Sequence, residues 1–342
     1  MVLSGYFIKI PYALVWYILK VLGRLDTLVC YCANLQDYRV VENVIPYLRI
    51  KPTIAARNSA THRELERIGV RSKVWPVFPE KVIMSRHALH KFPLKSIYKI
   101  GMRHGPYHFK KFIKKERYNS FDVYLFTSTD EIASARRAGI TNGVNGGYPK
   151  LDSFQNREVQ EKAARLSSQY ADDKIKLLFS ATYDKSGMSA IESWCSELDN
   201  IVDCYHVFVT LHPMMSSKYR KLFFNNPKLV LIEHDELLEY MVLCDMLVSD
   251  TSSIIGEFCS LNKPIITFRV NQRGRLDQKI SEMIRKISIQ IDNFSQLQSA
   301  IDDYINDPTL KQSERDECIR IMFDDFKSSH GKRAADIINT VL

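Results

Sequence analysis

The sequence has no apolar run long enough to cross a lipid bilayer. The uncharged stretch near the N-terminus, Ile10 to Leu19, contains ten residues, whereas a transmembrane helix needs roughly 20. No small-residue cleavage site follows it, so it does not fit a secretory signal peptide either. We therefore expect neither a membrane-spanning helix nor a cleaved leader.

Cysteine pairs with a metal-binding or redox spacing are also lacking. Only Cys30 and Cys32 lie close together among the seven cysteines, and their spacing suits neither a zinc ribbon nor a thioredoxin-type motif. The number is odd, and most of the cysteines lie in apolar runs. This pattern predicts unpaired, buried thiols in a reducing cytoplasm.

Low-complexity tracts and repeats of fixed period are absent, and acidic residues are outnumbered. The 342 residues exceed the roughly 250–300 at which single cores stop growing, so we expect two domains. With 48 Lys and Arg against 39 Asp and Glu, the net charge is +9, which favours anionic partners such as phosphates or lipid head groups. No RNP, zinc-finger or KH signature accompanies this charge, so nucleic acid is not the predicted partner.

Residues 1–24 combine apolar and aromatic side chains with flanking basic residues. The aromatic residues are Tyr6, Phe7, Tyr12, Trp16 and Tyr17, and the basic residues are Lys9, Lys20 and Arg24. An amphipathic helix of this composition lies in the head-group zone of a membrane or packs against its own domain. The sequence favours the two interpretations equally.

The rest of the chain alternates strand-like and helical segments. Strand-like runs include residues 27–33, 122–128, 175–182, 206–213, 245–250 and 264–268. This alternation predicts two parallel sheets covered by helices on both faces. Glycine, asparagine and proline cluster in residues 142–154 and mark a domain boundary, so we expect an N-terminal domain over 25–150 and a C-terminal domain over 151–342.

Four polar residues, Asp250-Thr251-Ser252-Ser253, lie between a strand-like run and a helical segment. At the carboxyl end of a parallel strand, the N–H groups and hydroxyls of such a turn point out of a helix N-terminus and favour a phosphate. The alternative is that one serine only caps its own helix. Two serines after an aspartate favour ligand binding.

Two histidines lie at similar turns. His212 precedes Pro213 at the end of the run 206–213, so its imidazole is expected at the rim of the sheet. His104 precedes Gly105, which leaves room for close approach of a substrate, and a basic run containing Lys110 and Lys111 follows. That run is either an anion-binding surface or a solvated helix face.

The ordered set of these motifs resembles the CDP-glycerol glycerophosphotransferase family, whose members build teichoic acid and related poly(alditol phosphate) chains. The matching residues are His104-Gly105 with Lys110 or Lys111, Gly147-Tyr148-Pro149 with Asp152, Ala181-Thr182-Tyr183, His212-Pro213, and Asp250-Thr251-Ser252-Ser253 with Lys263-Pro264. Each motif is weak alone, but their order is specific. The resemblance covers about residues 27–335.

The resemblance implies a GT-B fold, with two Rossmann-like doubly wound domains facing a cleft. It implies transfer of glycerol phosphate, or a related alditol phosphate, from a CDP-alditol donor to a hydroxyl of an anionic glycan or lipid-linked acceptor, with release of CMP. No tightly bound cofactor or metal site is expected, and a loosely bound Mg²⁺ stays open. The expected location is the cytoplasm or the inner face of the bacterial cell membrane, and the product a wall or capsule polymer.

The resemblance also assigns roles to residues. His104 is expected to be the base on the acceptor side and His212 the second catalytic residue. The expected acceptor contacts are Lys110 and Lys111, and the expected donor contacts are Thr182, His212, Asp250, Thr251, Ser252, Ser253 and Glu257. The family's arginine near Thr182 is replaced by Asp184, followed by Lys185, so that phosphate contact is either lost or shifted by one residue.

One competing enzyme class remains open. A GT-B glycosyltransferase with a nucleotide-sugar donor presents the same diphosphate to its C-terminal domain, so the motifs separate the two reactions poorly.

Overall fold

A computed structural model describes residues 3–108, 112, 114–233, 235–271, 276–324 and 328–342, with the side chains of the first helix described from Lys9 onward. Lys110 and Lys111 lie outside the described residues. The chain divides into two compact units. The first comprises Met1–Tyr107, Phe112–Asp152 and Lys327–Leu342, and the second comprises His108–Lys111 and Ser153–Phe326.

The first unit contains a parallel sheet of seven strands. These are β1 (Asp26–Cys32), β2 (Thr53–Ala56), β3 (Lys73–Val74), β4 (Pro79–Met84), β5 (Tyr98–Met102), β6 (Val123–Phe126) and β7 (Gly143–Asn145). The order across the sheet is β3-β2-β1-β4-β5-β6-β7. Its helices are α1 (Leu3–Val21), α2 (Leu35–Val41), α3 (Ser59–Arg67), α4 (Lys115–Tyr118) and α5 (Thr129–Arg137).

Side-chain caps start three of these helices directly after a strand. Asn34, Asn58 and Ser128 accept hydrogen bonds from the backbone N–H groups of Asp37, Thr61 and Glu131. Each cap satisfies a donor that has no partner within the helix. The caps therefore define where strands β1, β2 and β6 end and their helices begin.

The second unit repeats this plan with six parallel strands. They are β8 (Lys176–Ala181), β9 (His206–Leu211), β10 (Val230–Ile232), β11 (Met246–Ser249), β12 (Ile265–Phe268) and β13 (Ile289–Ile291), in the order β10-β9-β8-β11-β12-β13. The helices are α6 (Arg157–Gln169), α7 (Ile191–Trp194), α8 (Ser217–Phe224), α9 (Leu237–Leu243), α10 (Ile254–Cys259), α11 (Gln278–Ile287), α12 (Leu297–Asn306) and α13 (Gln312–Phe323).

Both sheets have the strand order of the Rossmann fold, as the alternating sequence predicts. In this order the chain reverses its direction across the sheet at one point, which lies between β1 and β4 in the first unit and between β8 and β11 in the second. Ligands of such folds bind outside the carboxyl ends of the strands at this switch point.

Helix α1 has one buried face and one exposed face. Tyr12 and Trp16 are buried in the core of the first unit and donate hydrogen bonds of 2.8 Å each to the carbonyls of Val77 and Pro79. On the other face Ile10, Leu14, Tyr17, Ile18, Val21 and Leu22 are between 51% and 87% exposed. Among the described residues, no helix combines the length and apolarity that crossing a membrane requires.

The cysteines are all unpaired, as expected, but they are not uniformly buried. Five of the seven are buried, whereas Cys195 is partly exposed and Cys204 is exposed. Burial raises the pKa of the Cys30 thiol to about 12, so this thiol stays protonated at neutral pH.

The C-terminal helix α14 (His330–Asn339) belongs to the first unit, although the sequence placed residues 151–342 together. The carboxylate of Asp152 accepts hydrogen bonds from the Ser329 hydroxyl at 2.7 Å and from the N–H groups of His330 and Gly331 at 3.0 and 2.8 Å. The Tyr148 N–H donates to His330 Nδ1 at 3.1 Å. The Gly-Tyr-Pro segment with Asp152 therefore holds the end of the chain to the first unit.

Replacing Asp152 with Asn should destabilise the first unit. The amide keeps one acceptor oxygen and leaves at least one N–H of the helix terminus without a partner, so we expect a loss of about 2–4 kcal/mol in the free energy of unfolding, measured by urea denaturation. Asp336→Asn is the control, since Asp336 pairs with Lys332 on an exposed helix surface. This change should alter stability by less than about 1 kcal/mol. Equal effects in the two variants would contradict this role of Asp152.

Candidate functional site

The switch point of the second sheet is organised around the buried carboxylate of Asp250. Its oxygens accept hydrogen bonds from the N–H groups of Thr182 and Ser252 at 3.0 Å, and from the Thr182 hydroxyl at 2.8 Å. They also accept the N–H groups of Ala190, at 2.9 Å, and Thr251. Asp250 therefore joins the end of β8 to the turn after β11.

This arrangement corrects the expected orientation of the turn. The N–H groups of Thr251 and Ser252 point inward to Asp250, so they do not point out towards a ligand. Burial raises the pKa of Asp250, against the opposing effect of these hydrogen bonds. Asp250 and Thr182 are 1% and 4% exposed, so these two side chains hold the turn from within the protein.

The two serines and the glutamate after Asp250 have different exposures. Ser252 is partly exposed and Ser253 is exposed. Ser253 is the N-cap of α10, yet its side chain makes no capping hydrogen bond, so capping does not explain the serine there. Glu257, in the first turn of α10, is 7% exposed, and Thr251 packs inward with its hydroxyl 3.4 Å from the Met188 carbonyl.

His212 follows β9 at the same edge of the second sheet. Its Nδ1 accepts the Met214 N–H at 3.0 Å, and its ring lies 5.2 Å from the ring of Tyr183 between centroids. Because Nδ1 is the acceptor, the ring proton lies on Nε2. The imidazole can therefore donate a hydrogen bond through Nε2.

Asp184, which stands where the family has arginine, has a structural partner. It accepts the Ser216 hydroxyl at 2.6 Å and the Ser216 N–H at 3.1 Å, which joins the loop after β8 to the start of α8. Partial burial raises the pKa of Asp184, but these hydrogen bonds outweigh it and the net pKa is lowered. The neighbouring Lys185 is exposed.

In the first unit, His104 lies in the loop after β5. Its Nδ1 is 3.2 Å from the Ser85 carbonyl, and a carbonyl only accepts, so Nδ1 carries the proton and Nε2 has the lone pair. The surrounding protein and the charges of Arg86 and Arg103 lower the pKa of His104 to about 3. The side chain is open to solvent, and its lowered pKa keeps the imidazole neutral at neutral pH.

The loop that carries His104 is fixed to helix α5 on both sides of the histidine. Arg103 Nε lies 3.1 Å from a carboxylate oxygen of Glu131 in a buried ion pair, and the Tyr107 hydroxyl donates to Asp130. A Cβ added at Gly105 would meet no atom within 4 Å. The space beside Gly105 is therefore open, and the access of a substrate to His104 stays a prediction.

Sequence reasoning missed an ion pair at the switch point of the first sheet. Asp37, which is 1% exposed, accepts the Ala33 N–H at 2.9 Å and Nε of Arg86 at 2.7 Å. Asp37 is the third residue after the cap Asn34, and this capping pattern was the signal in the sequence. Within the described residues, no group of three or more His, Cys, Asp or Glu is arranged to hold a metal ion.

Comparison with solved structures identifies the fold. The wall teichoic acid polymerase TagF aligns with a TM-score of 0.67 at 14% identity, covering 100% of this chain and 97% of that one. MnaA of S. aureus in complex with UDP aligns with a TM-score of 0.63 at 12% identity, covering 93% of this chain and 96% of that one. The UDP-GlcNAc 2-epimerase of Neisseria meningitidis aligns with a TM-score of 0.63 at 11% identity, covering 93% of this chain and 99% of that one. At these identities the likeness shows the fold, which is of the GT-B type.

Comparison of sequences identifies the family. The chain is 24% identical over 261 residues to the teichoic acid poly(ribitol-phosphate) polymerase of Bacillus spizizenii, covering 67% of this chain and 41% of the relative. It is 26% identical over 217 residues to the teichoic acid glycerol-phosphate primase of Bacillus subtilis, covering 59% of this chain and 55% of the relative. The chain thus spans about half the length of the curated relatives it matches.

The family model of the CDP-glycerol:poly(glycerophosphate) glycerophosphotransferases matches residues 82–286, more than half of the chain. This match includes both histidines, the Asp250 turn and the switch-point residue Arg86. The chain belongs to the CDP-glycerol:poly(glycerophosphate) glycerophosphotransferase family.

Proposed function

We propose that this protein transfers glycerol phosphate, or a related alditol phosphate, from a CDP-alditol to an acceptor hydroxyl and releases CMP. The first unit binds the acceptor and the second binds the nucleotide donor. The observation that carries the proposal is the opposite proton placement on two histidines at the carboxyl edges of the sheets. His104 presents a lone pair on Nε2, and His212 presents a proton on Nε2.

These two states suit the two ends of a phosphoryl transfer. The acceptor hydroxyl gives its proton to Nε2 of His104 as its oxygen forms a bond to the phosphorus beside the alditol. The bond from that phosphorus to the bridging oxygen breaks, and CMP leaves with the electron pair. The Nε2–H of His212 donates a hydrogen bond to the charge that develops on the leaving phosphate.

The turn after β11 supplies the rest of the proposed donor site. Asp250 holds the turn in place, so the hydroxyls of Ser252 and Ser253 lie at the carboxyl edge of β11 without prior ordering by the ligand. A preorganised site loses less conformational freedom on binding. Glu257 is proposed to bind a donor hydroxyl, and the acceptor contacts of Lys110 and Lys111 stay a prediction from the sequence.

We also propose that α1 places the protein on the inner face of a bacterial membrane. Tyr12 and Trp16 attach its buried face to the first unit through hydrogen bonds. The opposite face of the helix therefore presents its apolar side chains to the solvent in a defined orientation. Lys9, Lys20 and Arg24 add positive charge for anionic lipids. The two interpretations of residues 1–24 are thus compatible, because each concerns a different face.

The reaction itself is tested with a panel of CDP-alditols and nucleotide sugars, with the released nucleotide as the readout. Release of CMP from a CDP-alditol, dependent on an acceptor, is the expected result. Turnover confined to a nucleotide sugar would favour the glycosyltransferase alternative.

Replacing His104 with Asn should lower kcat by about 10²–10⁴-fold, the contribution of a positioned general base, while donor affinity stays unchanged. In the wild type the lowered pKa keeps His104 neutral, so we expect kcat/KM to show no acid limb near the ordinary histidine pKa of 6.5. His62→Asn, on α3 of the same unit, is the control. Near-normal turnover of His104→Asn would show that another group is the base.

Replacing Ser252 with Ala should weaken donor binding about tenfold, the loss of one hydrogen bond to a charged group. The side chain is partly exposed, so the thermal midpoint should stay unchanged. Calorimetric titration with CDP-glycerol measures the affinity, and Ser295→Ala on the surface of the same unit is the control. Unaltered affinity in Ser252→Ala would remove this serine from the donor site.

Replacing Leu14 and Ile18 with Glu should release the protein from vesicles that contain an anionic phospholipid. Both residues are more than half exposed, so folding should be retained, whereas deletion of residues 1–24 would also remove Tyr12 and Trp16 from the core. Co-sedimentation is the measurement, with Ile305→Glu as the control for an exposed apolar residue elsewhere. Equal sedimentation of all three proteins would refute the membrane role of α1.

A further inference from the structure

Basic side chains follow several neighbouring strands at the carboxyl edge of the first sheet, and most have no role so far. Arg57 follows β2, Arg86 follows β4, Lys91 lies in the short 3-10 helix Leu89–Lys91 after β4, and His104 follows β5. Of these, only His104 enters the proposed chemistry. The question is what Arg57, Arg86 and Lys91 bind.

Arg86 is held by one atom and keeps its other donors available. Asp37 accepts Nε of Arg86 at 2.7 Å, and within the described residues the two Nη groups have no hydrogen-bond partner. The preceding residue, Ser85, supplies the carbonyl that orients His104. Arg86 thus directly follows the residue whose carbonyl orients the proposed base, and its charge contributes, after burial, to the lowered pKa of His104.

Trp75 connects the positions of two further cations, Lys91 and Arg57. Lys91 Nζ lies 3.9 Å from the ring centroid of Trp75, and the Trp75 N–H donates to the carbonyl of Ala56, next to Arg57, at 2.9 Å. Burial, followed by the charge of Arg57, lowers the pKa of Lys91. In the part of the chain that the structure describes, neither cation forms an ion pair with a carboxylate.

Two cations held together without a carboxylate repel each other, and an anion between them removes this repulsion. Strand β2 is three positions from β5 in the sheet, which corresponds to about 14 Å at the usual spacing between strands. The cations therefore extend along the edge, from Lys91 and Arg57 to Arg86, which lies next to the neutral His104. This length accommodates more than one phosphate group.

We propose that Arg57, Arg86 and Lys91 bind phosphate groups of the acceptor, beside the hydroxyl that His104 deprotonates. This inference rests on the proposed transfer reaction, since it assigns the acceptor to the first unit. The acceptor is then a phosphate ester rather than a neutral glycan. Two sources carry this chemistry, a phosphodiester chain from earlier transfers or the diphosphate of a lipid-linked acceptor.

The test compares KM for three acceptors, namely glycerol, a di(glycerol) phosphodiester and a short-chain lipid diphosphate that carries a free sugar hydroxyl. In the wild type, KM should be lower for at least one phosphorylated acceptor than for glycerol. The acceptor with the lower KM identifies the source of the phosphate. Arg57→Gln and Lys91→Gln should reduce this preference about 10- to 100-fold, the range for a hydrogen bond between charged groups. Arg86→Gln should do the same, with Arg86→Lys retaining part of the preference.

The matched control is Arg71→Gln, an exposed arginine that precedes β3 at the opposite edge of the same sheet. It should keep the wild-type preference, and thermal unfolding checks that each variant folds. An unchanged preference in Arg57→Gln and Lys91→Gln, or an equal loss in Arg71→Gln, would overturn the site.

A binding measurement separates this site from the transfer reaction. Calorimetric titration of the phosphodiester into protein without donor should show binding that Arg57→Gln weakens. If such binding occurs in a protein that releases no CMP from any donor, the anion site stands and the proposed function fails. If CMP is released but no phosphorylated acceptor binds better than glycerol, the proposed function stands and the anion site fails.

Discussion

A buried aspartate lies at the switch point of each sheet, and the arrangement of the polar residues around that point depends on it. In a Rossmann-type sheet the helices on either side of this point leave in opposite directions, and the backbone N–H groups at the strand ends lack partners. Asp250 accepts several of these groups in the second unit. Asp37 accepts one N–H and the Arg86 guanidinium in the first. Each aspartate is 1% exposed, so each stabilises the carboxyl edge of its sheet through hydrogen bonds made inside the protein.

The two aspartates leave different groups for a ligand. Asp250 uses only uncharged partners, and the hydroxyls of Ser252 and Ser253 remain at the edge. Asp37 pairs with Arg86 and offsets its charge, so the positive charge of the first edge comes from Arg57 and Lys91, while the Nη groups of Arg86 remain as donors next to His104. A neutral, hydroxyl-lined edge and a cationic edge fit the proposed division between a nucleotide donor and a phosphorylated acceptor. The histidines follow the same logic, because a backbone carbonyl or N–H decides which ring nitrogen keeps its proton.

Much of the fold could be predicted from the sequence, and the exceptions have physical causes. Strand β5 escaped prediction because Gly101 interrupts its apolar run, and this glycine is needed since a Cβ there would collide with the ring of Tyr124. Strand β7 lies in the glycine- and asparagine-rich segment that composition predicts to be a loop. It forms because the backbone of β6 offers a free edge for pairing from Tyr124 to Phe126. Helix α14 was assigned to the wrong unit, since its attachment to Asp152 spans more than 170 residues of sequence.

The sequence by itself determined the two parallel sheets, the position of polar residues at the strand ends and the family, because these follow from local periodicity and from the order of short motifs. The tertiary structure decided which of those residues face inward and which stay open. Thr182 and Asp250 are 68 positions apart, and Arg86 and Asp37 are 49 apart. Their pairing exists only once the strands lie side by side. No local pattern could show that Asp250 and Asp37 have partners, whereas the serine hydroxyls and the Nη groups of Arg86 have none among the described residues.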